Sequence, residues 1–163
     1  MRAFLSRLLR FLLICMLLVP LAAARTIEFE TTEVTAADVA LSPDGQWLIF
    51  TMLGHLFRLP VEGGTAEQLT FGPNYDDEPV FSPDGARVAF VSDRDGSEGN
   101  VFVLELATGR ITQITHESSA GRPNWAPGGQ AIVYLRFVRD ARNSPQPWKI
   151  GPKRVPTPPA LVR

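Results

Sequence analysis

Apolar residues gather along this chain in short runs closed by a bulky residue, separated by turns rich in Pro, Asp and Gly. Three runs, Leu48-Ile49-Phe50, Val88-Ala89-Phe90 and Ile132-Val133-Tyr134, each stand three positions after a turn's last glycine. The turns themselves match: Ser42-Pro43-Asp44-Gly45, Ser82-Pro83-Asp84-Gly85 and the worn Ala126-Pro127-Gly128-Gly129, spaced 40 and 44 residues apart. Proline presets φ for the second position of such a turn, and glycine accepts the positive φ that returns the chain. Short apolar runs between turn signals predict buried strands. A fixed period of this size marks a repeat architecture.

Alignment on the turns extends the unit. Before each turn stand Asp38-Val39-Ala40-Leu41, Glu78-Pro79-Val80-Phe81 and Arg122-Pro123-Asn124-Trp125. After the buried strand come a connection of variable length and a third strand, Leu56-Phe57-Arg58-Leu59 or Val101-Phe102-Val103-Leu104. A glycine turn leads to a fourth strand ending in Gln68-Leu69-Thr70 or Gln113-Ile114-Thr115. Four short antiparallel strands per unit predict an all-β fold of β-propeller blades. A β-sandwich has strands of similar spacing but does not predict internal repetition. The expected blades are 35–75, 76–118 and an incomplete 119–137, about two and a half in all. Six prolines lie between Pro145 and Pro159. Proline removes ladder donors, so residues 138–163 are expected to form a disordered, basic tail without a third or fourth strand.

The N-terminus follows a different rule. Arg2, Arg7 and Arg10 precede the apolar run Phe11–Val19, then Pro20 and Leu21-Ala22-Ala23-Ala24. A basic start, an apolar core and an Ala-x-Ala site predict a signal-peptide helix over 1–24. Phe11–Ala24 is 14 residues, short of the roughly 20 that span a bilayer. The expectation is an exported chain, periplasmic or secreted, with no stable membrane span after cleavage. Cys15 lies inside that leader, so the mature chain would hold no disulfide. Thr26–Val34 alternates as a half-buried strand.

These residues resemble a known family. Ser-Pro-Asp-Gly before an apolar-aromatic strand, Ser92-Asp93-Arg94-Asp95-Gly96, and a closing Leu-Thr or Ile-Thr are similar to the TolB-type, WD-like propeller repeat over roughly residues 35–137. A narrower likeness lies in Ile27–Glu33, Leu53-Gly54-His55-Leu56-Phe57 and Leu59-Pro60-Val61-Glu62-Gly63-Gly64. These look similar to the N-terminal propeller of exported proteins carrying a metal-dependent amidohydrolase barrel downstream. The resemblance implies an envelope location and a propeller that binds a partner or controls access to a catalytic domain. A TolB-like component of envelope transport or integrity is a further implied role.

Charge and candidate chemistry narrow the function. Residues 25–135 hold sixteen acidic and six basic side chains, and from Arg136 onward seven basic and one acidic. An acidic body excludes phosphate-backbone binding, which needs clustered Lys and Arg, so no nucleic-acid partner is expected. His55 and His116 fall at different repeat positions and predict no joint metal site. No nucleophile elbow or phosphate loop is present, so no catalytic residue, metal or other cofactor is expected. Asp93-Arg94-Asp95-Gly96 is only partly like a calcium loop, lacking the third oxygen ligand and the closing Glu, and an Asp-Gly hairpin is the better explanation of the same residues. Asp76-Asp77-Glu78 gathers three carboxylates that would attract a cation or basic partner, or form a solvated loop. Ser42, Pro43, Asp44, Gly45, Ser82, Pro83, Asp84, Gly85, Pro127 and Gly129 carry structural turns. Two and a half blades leave open faces and edges, so the expected partners are a protein, a downstream catalytic domain, or further copies completing a ring.

Overall fold

The computed structural model describes residues 38–136 and 149–156. The expected leader and the Thr26–Val34 strand lie outside the described residues. The described residues form three antiparallel sheets and no helix. Sheet 1 is β1 (Val39–Leu41), β2 (Trp47–Met52), β3 (His55–Pro60) and β4 (Glu67–Gln68), in that order. Sheet 2 repeats the meander with β5 (Asp76–Phe81), β6 (Arg87–Ser92), β7 (Asn100–Glu105) and β8 (Ile111–Gln113). Sheet 3 holds β9 (Ala120–Trp125), β10 (Ala131–Arg136) and β11 (Lys149–Arg154), ordered β11-β10-β9. This is an incomplete propeller.

Side-chain alternation along each strand gives every sheet two faces. Sheet 2 presents Phe81, Val88, Phe90, Phe102 and Leu104 to Ile49 and Leu56 of sheet 1. Its opposite face, with Ala89, Val101 and Val103, packs on Trp125, Ile132 and Tyr134 of sheet 3. We call these its upstream and downstream faces. Sheet 2 is therefore buried on both, which explains why the runs Val88-Ala89-Phe90 and Val101–Leu104 are apolar without alternation. Each buried Leu or Phe contributes about 2 kcal/mol, so most of the stability sits at these two junctions.

The repeat-closing threonines have a common task. Thr70 Oγ1 accepts the Leu56 N–H at 2.9 Å, and Thr115 Oγ1 accepts the Val101 N–H at 2.8 Å. Gln68 and Gln113 donate to the carbonyls of Thr70 and Thr115 at 2.8 and 2.9 Å. A buried hydroxyl thus replaces a backbone acceptor where the fourth strand leaves the ladder.

The tail differs from expectation. Lys149–Arg154 pairs with β10 over six residues, Ala131↔Arg154 through Arg136↔Lys149. The third unit therefore has a third strand. The reason lies in hydrogen-bond alternation. Val155 donates to the Gln130 carbonyl at 3.1 Å, so the inward donors of β11 are Lys153, Gly151 and Lys149. Pro152, opposite Val133, falls between them, and its missing donor faces away from β10, where no further strand lies among the described residues.

Candidate functional site

The turn residues build the junctions between sheets. Ser42 donates its hydroxyl to Asp44 at 2.5 Å and accepts the Trp47 N–H at 2.9 Å. Ser82 repeats this with Asp84 at 2.5 Å and Arg87 at 3.0 Å. These hydroxyls hold both carboxyls below the usual carboxylate range. Ala126 has no hydroxyl, and Gly128 has no carboxylate, so the third turn lacks both bonds. Gly45, Gly85 and Gly129 all take positive φ, 66 to 73°. A Cβ on Gly85 would lie 3.5 Å from Pro43, and one on Gly129 would lie 3.7 Å from Pro83. The glycines of the second and third turns thus rest on the proline of the turn before, and Pro127 offers the same surface beyond sheet 3. Arg87 completes the second junction, donating to the Gly129 carbonyl at 2.8 Å while its guanidinium stacks 4.7 Å over Trp125. Trp125 in turn donates to the Val80 carbonyl at 3.1 Å.

An acidic rim runs from Asp38, just before β1, to Asp77 and Glu78 of β5, beside Arg122 of β9. In β5 the register shifts between Asp77 and Val80, and in β9 between Gly121 and Asn124, so each strand holds an extra residue there. The bulge residues Glu78 and Arg122 take φ of 52° and 50°, a left-handed conformation that strains a side-chain-bearing residue. Both precede a proline. The turn in backbone direction aims the Glu78 carboxylate across the junction, where it accepts the Arg122 N–H. Asp77 accepts the Glu78 N–H at 2.9 Å. Burial pushes the Asp77 carboxyl up, and the Asp38 carboxylate facing it adds to the rise against the opposing Glu78 N–H. Asp38 is fixed by its N–H bond to Thr51 Oγ1 at 3.0 Å.

Two grooves follow this rim. One, of about 340 Å³, is bounded by Tyr75, Asp77, Glu78, Asp93, Glu98 and Gly121. The other, of about 380 Å³, lies among Asp38, Glu78, Arg122 and Asn124. Five carboxylates and one guanidinium border them, a field suited to cationic side chains. Among the described residues no group of histidine, cysteine and carboxylate is arranged to hold a metal ion.

The other candidate residues serve the fold. Asp95 accepts Ser97 at 2.7 Å on one oxygen, and Asn100 and Gln113 at 2.7 and 2.6 Å on the other. Asp93-Arg94-Asp95-Gly96 is thus a hairpin with its second carboxylate spent on neutral donors. Asp76 parts from its neighbours: it is fully buried and ion-paired with Arg94 at 2.7 Å, while Asp77 and Glu78 line the grooves. Arg94 also lies over Phe90 and Phe102 at 5.1 and 5.3 Å. His55 opens β3, and His116 is exposed after β8, on separate sheets. Asp38 and Arg122 carried no sequence signal of a site. Only their shared position before the turns, equivalent to that of Glu78, marked them.

A sequence model of the TolB beta propeller domain (PD40) matches residues 18–146. The chain is 32% identical to a dipeptidyl-peptidase 5 of Porphyromonas gingivalis, over 60% of this chain and 17% of that protein. It is 36% identical to the Tol-Pal system protein TolB of Nitrosospira multiformis, over 51% of this chain and 20% of that protein. In structure it is similar to TolB from Acinetobacter baumannii, with a TM-score of 0.58, 23% identity, and 82% and 36% of the two chains covered. The chain spans about a fifth of the length of these two curated relatives.

Proposed function

Because the chain belongs to the TolB beta propeller domain family, we propose that it is an exported, non-catalytic propeller segment that binds a polypeptide through its acidic rim. The observation that carries this is the pair of grooves along β5 and β9, bordered by Asp38, Asp77, Glu78, Asp93 and Glu98. Strand bulges shape that rim, and Asp77 carries a cost there, its carboxyl raised first by burial and then by the facing Asp38 carboxylate. A partner presenting Lys or Arg relieves that cost. Export rests on the basic-then-apolar leader before Ala24. Calorimetric titration with a Lys/Arg-rich peptide at low salt tests the reading. Binding should weaken several-fold in Asp77→Asn and Glu78→Gln and fade as salt shortens the Debye length below about 8 Å. Unchanged affinity in both variants would refute it.

A second reading is favoured by the dipeptidyl-peptidase relative, which is covered over only 17% of its length. There the propeller is one part of a longer hydrolase, and the catalytic part is a peptidase or, by the likeness at Ile27–Glu33 and Leu59–Gly64, an amidohydrolase. Translating the genomic DNA beyond the Arg163 codon decides it. Further Ser-Pro-Asp-Gly turns followed by catalytic motifs would support it, and unrelated intergenic sequence would reject it.

A further inference from the structure

Three arginines of the described sheets are held in the same way, by an aromatic ring and a carboxylate together. Arg58 lies 4.7 Å over the Trp47 ring and 2.6 Å from Glu67. Arg87 lies 4.7 Å over Trp125 and 3.7 Å from Asp84. Arg94 lies 5.1 and 5.3 Å over Phe90 and Phe102 and 2.7 Å from Asp76. The pairing suits a guanidinium, which is planar and weakly hydrated. It stacks on a ring while its N–H fork meets carboxylate oxygens. An ammonium is a compact, strongly hydrated charge and gains less from the ring.

Tyr75 and the carboxylates of the 340 Å³ groove bring a ring and acids together a fourth time. Among the described residues no basic side chain borders that groove. Tyr75 is 56% exposed, yet it is fixed twice. Its N–H donates to Asp93 Oδ1 at 2.7 Å. Its ring lies on the turn between β2 and β3, where a Cβ on Gly54 would stand 3.0 Å from it. The Asp76 N–H donates to the Gly54 carbonyl at 2.8 Å and ties that turn to β5. An exposed ring held in this way loses little freedom when a ligand covers it. Gly121 borders the same groove from inside β9. Glycine weakens a strand interior and marks a place where another group comes close. A Cβ there would lie 3.4 Å from the Glu78 carboxylate, so the bare backbone keeps that acid uncrowded.

We propose that this groove is an arginine-selective subsite, taking one arginine side chain of a polypeptide partner between the Tyr75 ring and the carboxylates of Asp77, Asp93 and Glu98. This rests on the rim reading above and adds which cation the rim selects. The carboxylates attract any cation, and the ring supplies the difference between arginine and lysine. Tyr75 is thus the specificity-determining residue. The second groove has no aromatic residue on its described border, and it takes either cation.

Calorimetric titration of the full chain at low salt tests this with two otherwise identical peptides. One carries arginine at every basic position, the other lysine. The arginine peptide should bind about tenfold more tightly, within the range of one desolvated cation–π contact. Tyr75→Phe keeps the ring and should keep the preference. Tyr75→Leu keeps apolar bulk and should bring the ratio close to one, the loss falling on the arginine peptide. Glu98→Gln should weaken the arginine peptide several-fold, because Glu98 borders this groove and not the second. Equal binding of the two peptides by the wild type, or a preference that survives Tyr75→Leu, overturns the proposal. Equal loss of both peptides in Tyr75→Leu would make Tyr75 a support of the rim and overturns it too. If both peptides bind equally and both weaken in Glu78→Gln, only the selectivity fails. If neither binds, the rim reading itself fails.

Discussion

Ser82 shows how one hydroxyl serves two roles. It is completely buried, accepts the Arg87 N–H and donates to Asp84. Ser82→Ala removes the acceptor and strands that amide, a loss of about 1–3 kcal/mol, readable as a lower urea midpoint with an unchanged slope. Asp84 and Asp77 then behave oppositely with pH. Asp84 lies below its ordinary value of 3.8, so its contribution is present above that value and lost as pH falls through the lowered one. Asp77 lies above 3.8, so its contribution is full below that value and lost as pH rises through the raised one. Asp77→Asn keeps the oxygen that accepts the Glu78 N–H and removes the charge. At pH 7 it should raise the melting temperature while weakening the basic peptide. A variant that is both less stable and a poorer binder would mean that Asp77 is structural. None of this was visible in Asp76-Asp77-Glu78 as a string. Three adjacent carboxylates read alike, and only strand alternation sends Asp76 inward to Arg94 and Asp77 out to Asp38.

At the scale of strands, recurrence made the sequence legible. The apolar runs of β2, β6 and β10 and the third strands β3 and β7 stand where the aligned turns put them, because each run must bury a face against the next unit. Two features escaped. The bulges escaped because a residue before proline is steered away from helical φ and ψ, whereas Glu78 and Arg122 occupy the left-handed region in just that setting. Strand β11 escaped because proline density signals donor loss at every proline, although a strand paired on one side uses only alternate donors. The same parity makes a prediction. Pro152→Ala should change stability by less than about 0.5 kcal/mol, since position 152 falls between the ladder donors to β10. Gly151→Pro should cost about 3 kcal/mol, losing an inward donor and driving a Cβ to 3.2 Å from the Tyr134 ring. Thermal melts of the two variants compare them directly. Equal losses would mean that β11 does not pair in this register.

For the molecule as a whole, stability follows the number of buried faces. Among the described residues sheet 2 has neighbours on both sides, and sheets 1 and 3 on one. In a linear stack, energy is a sum of units and nearest-neighbour junctions, so opening should proceed from the ends. Hydrogen exchange should then protect Val101–Leu104 in β7 most strongly, near the global unfolding free energy, and release β1 and β11 earlier. Equal protection of β1, β7 and β11 would mean that the three sheets open together and that the junctions do not set the order.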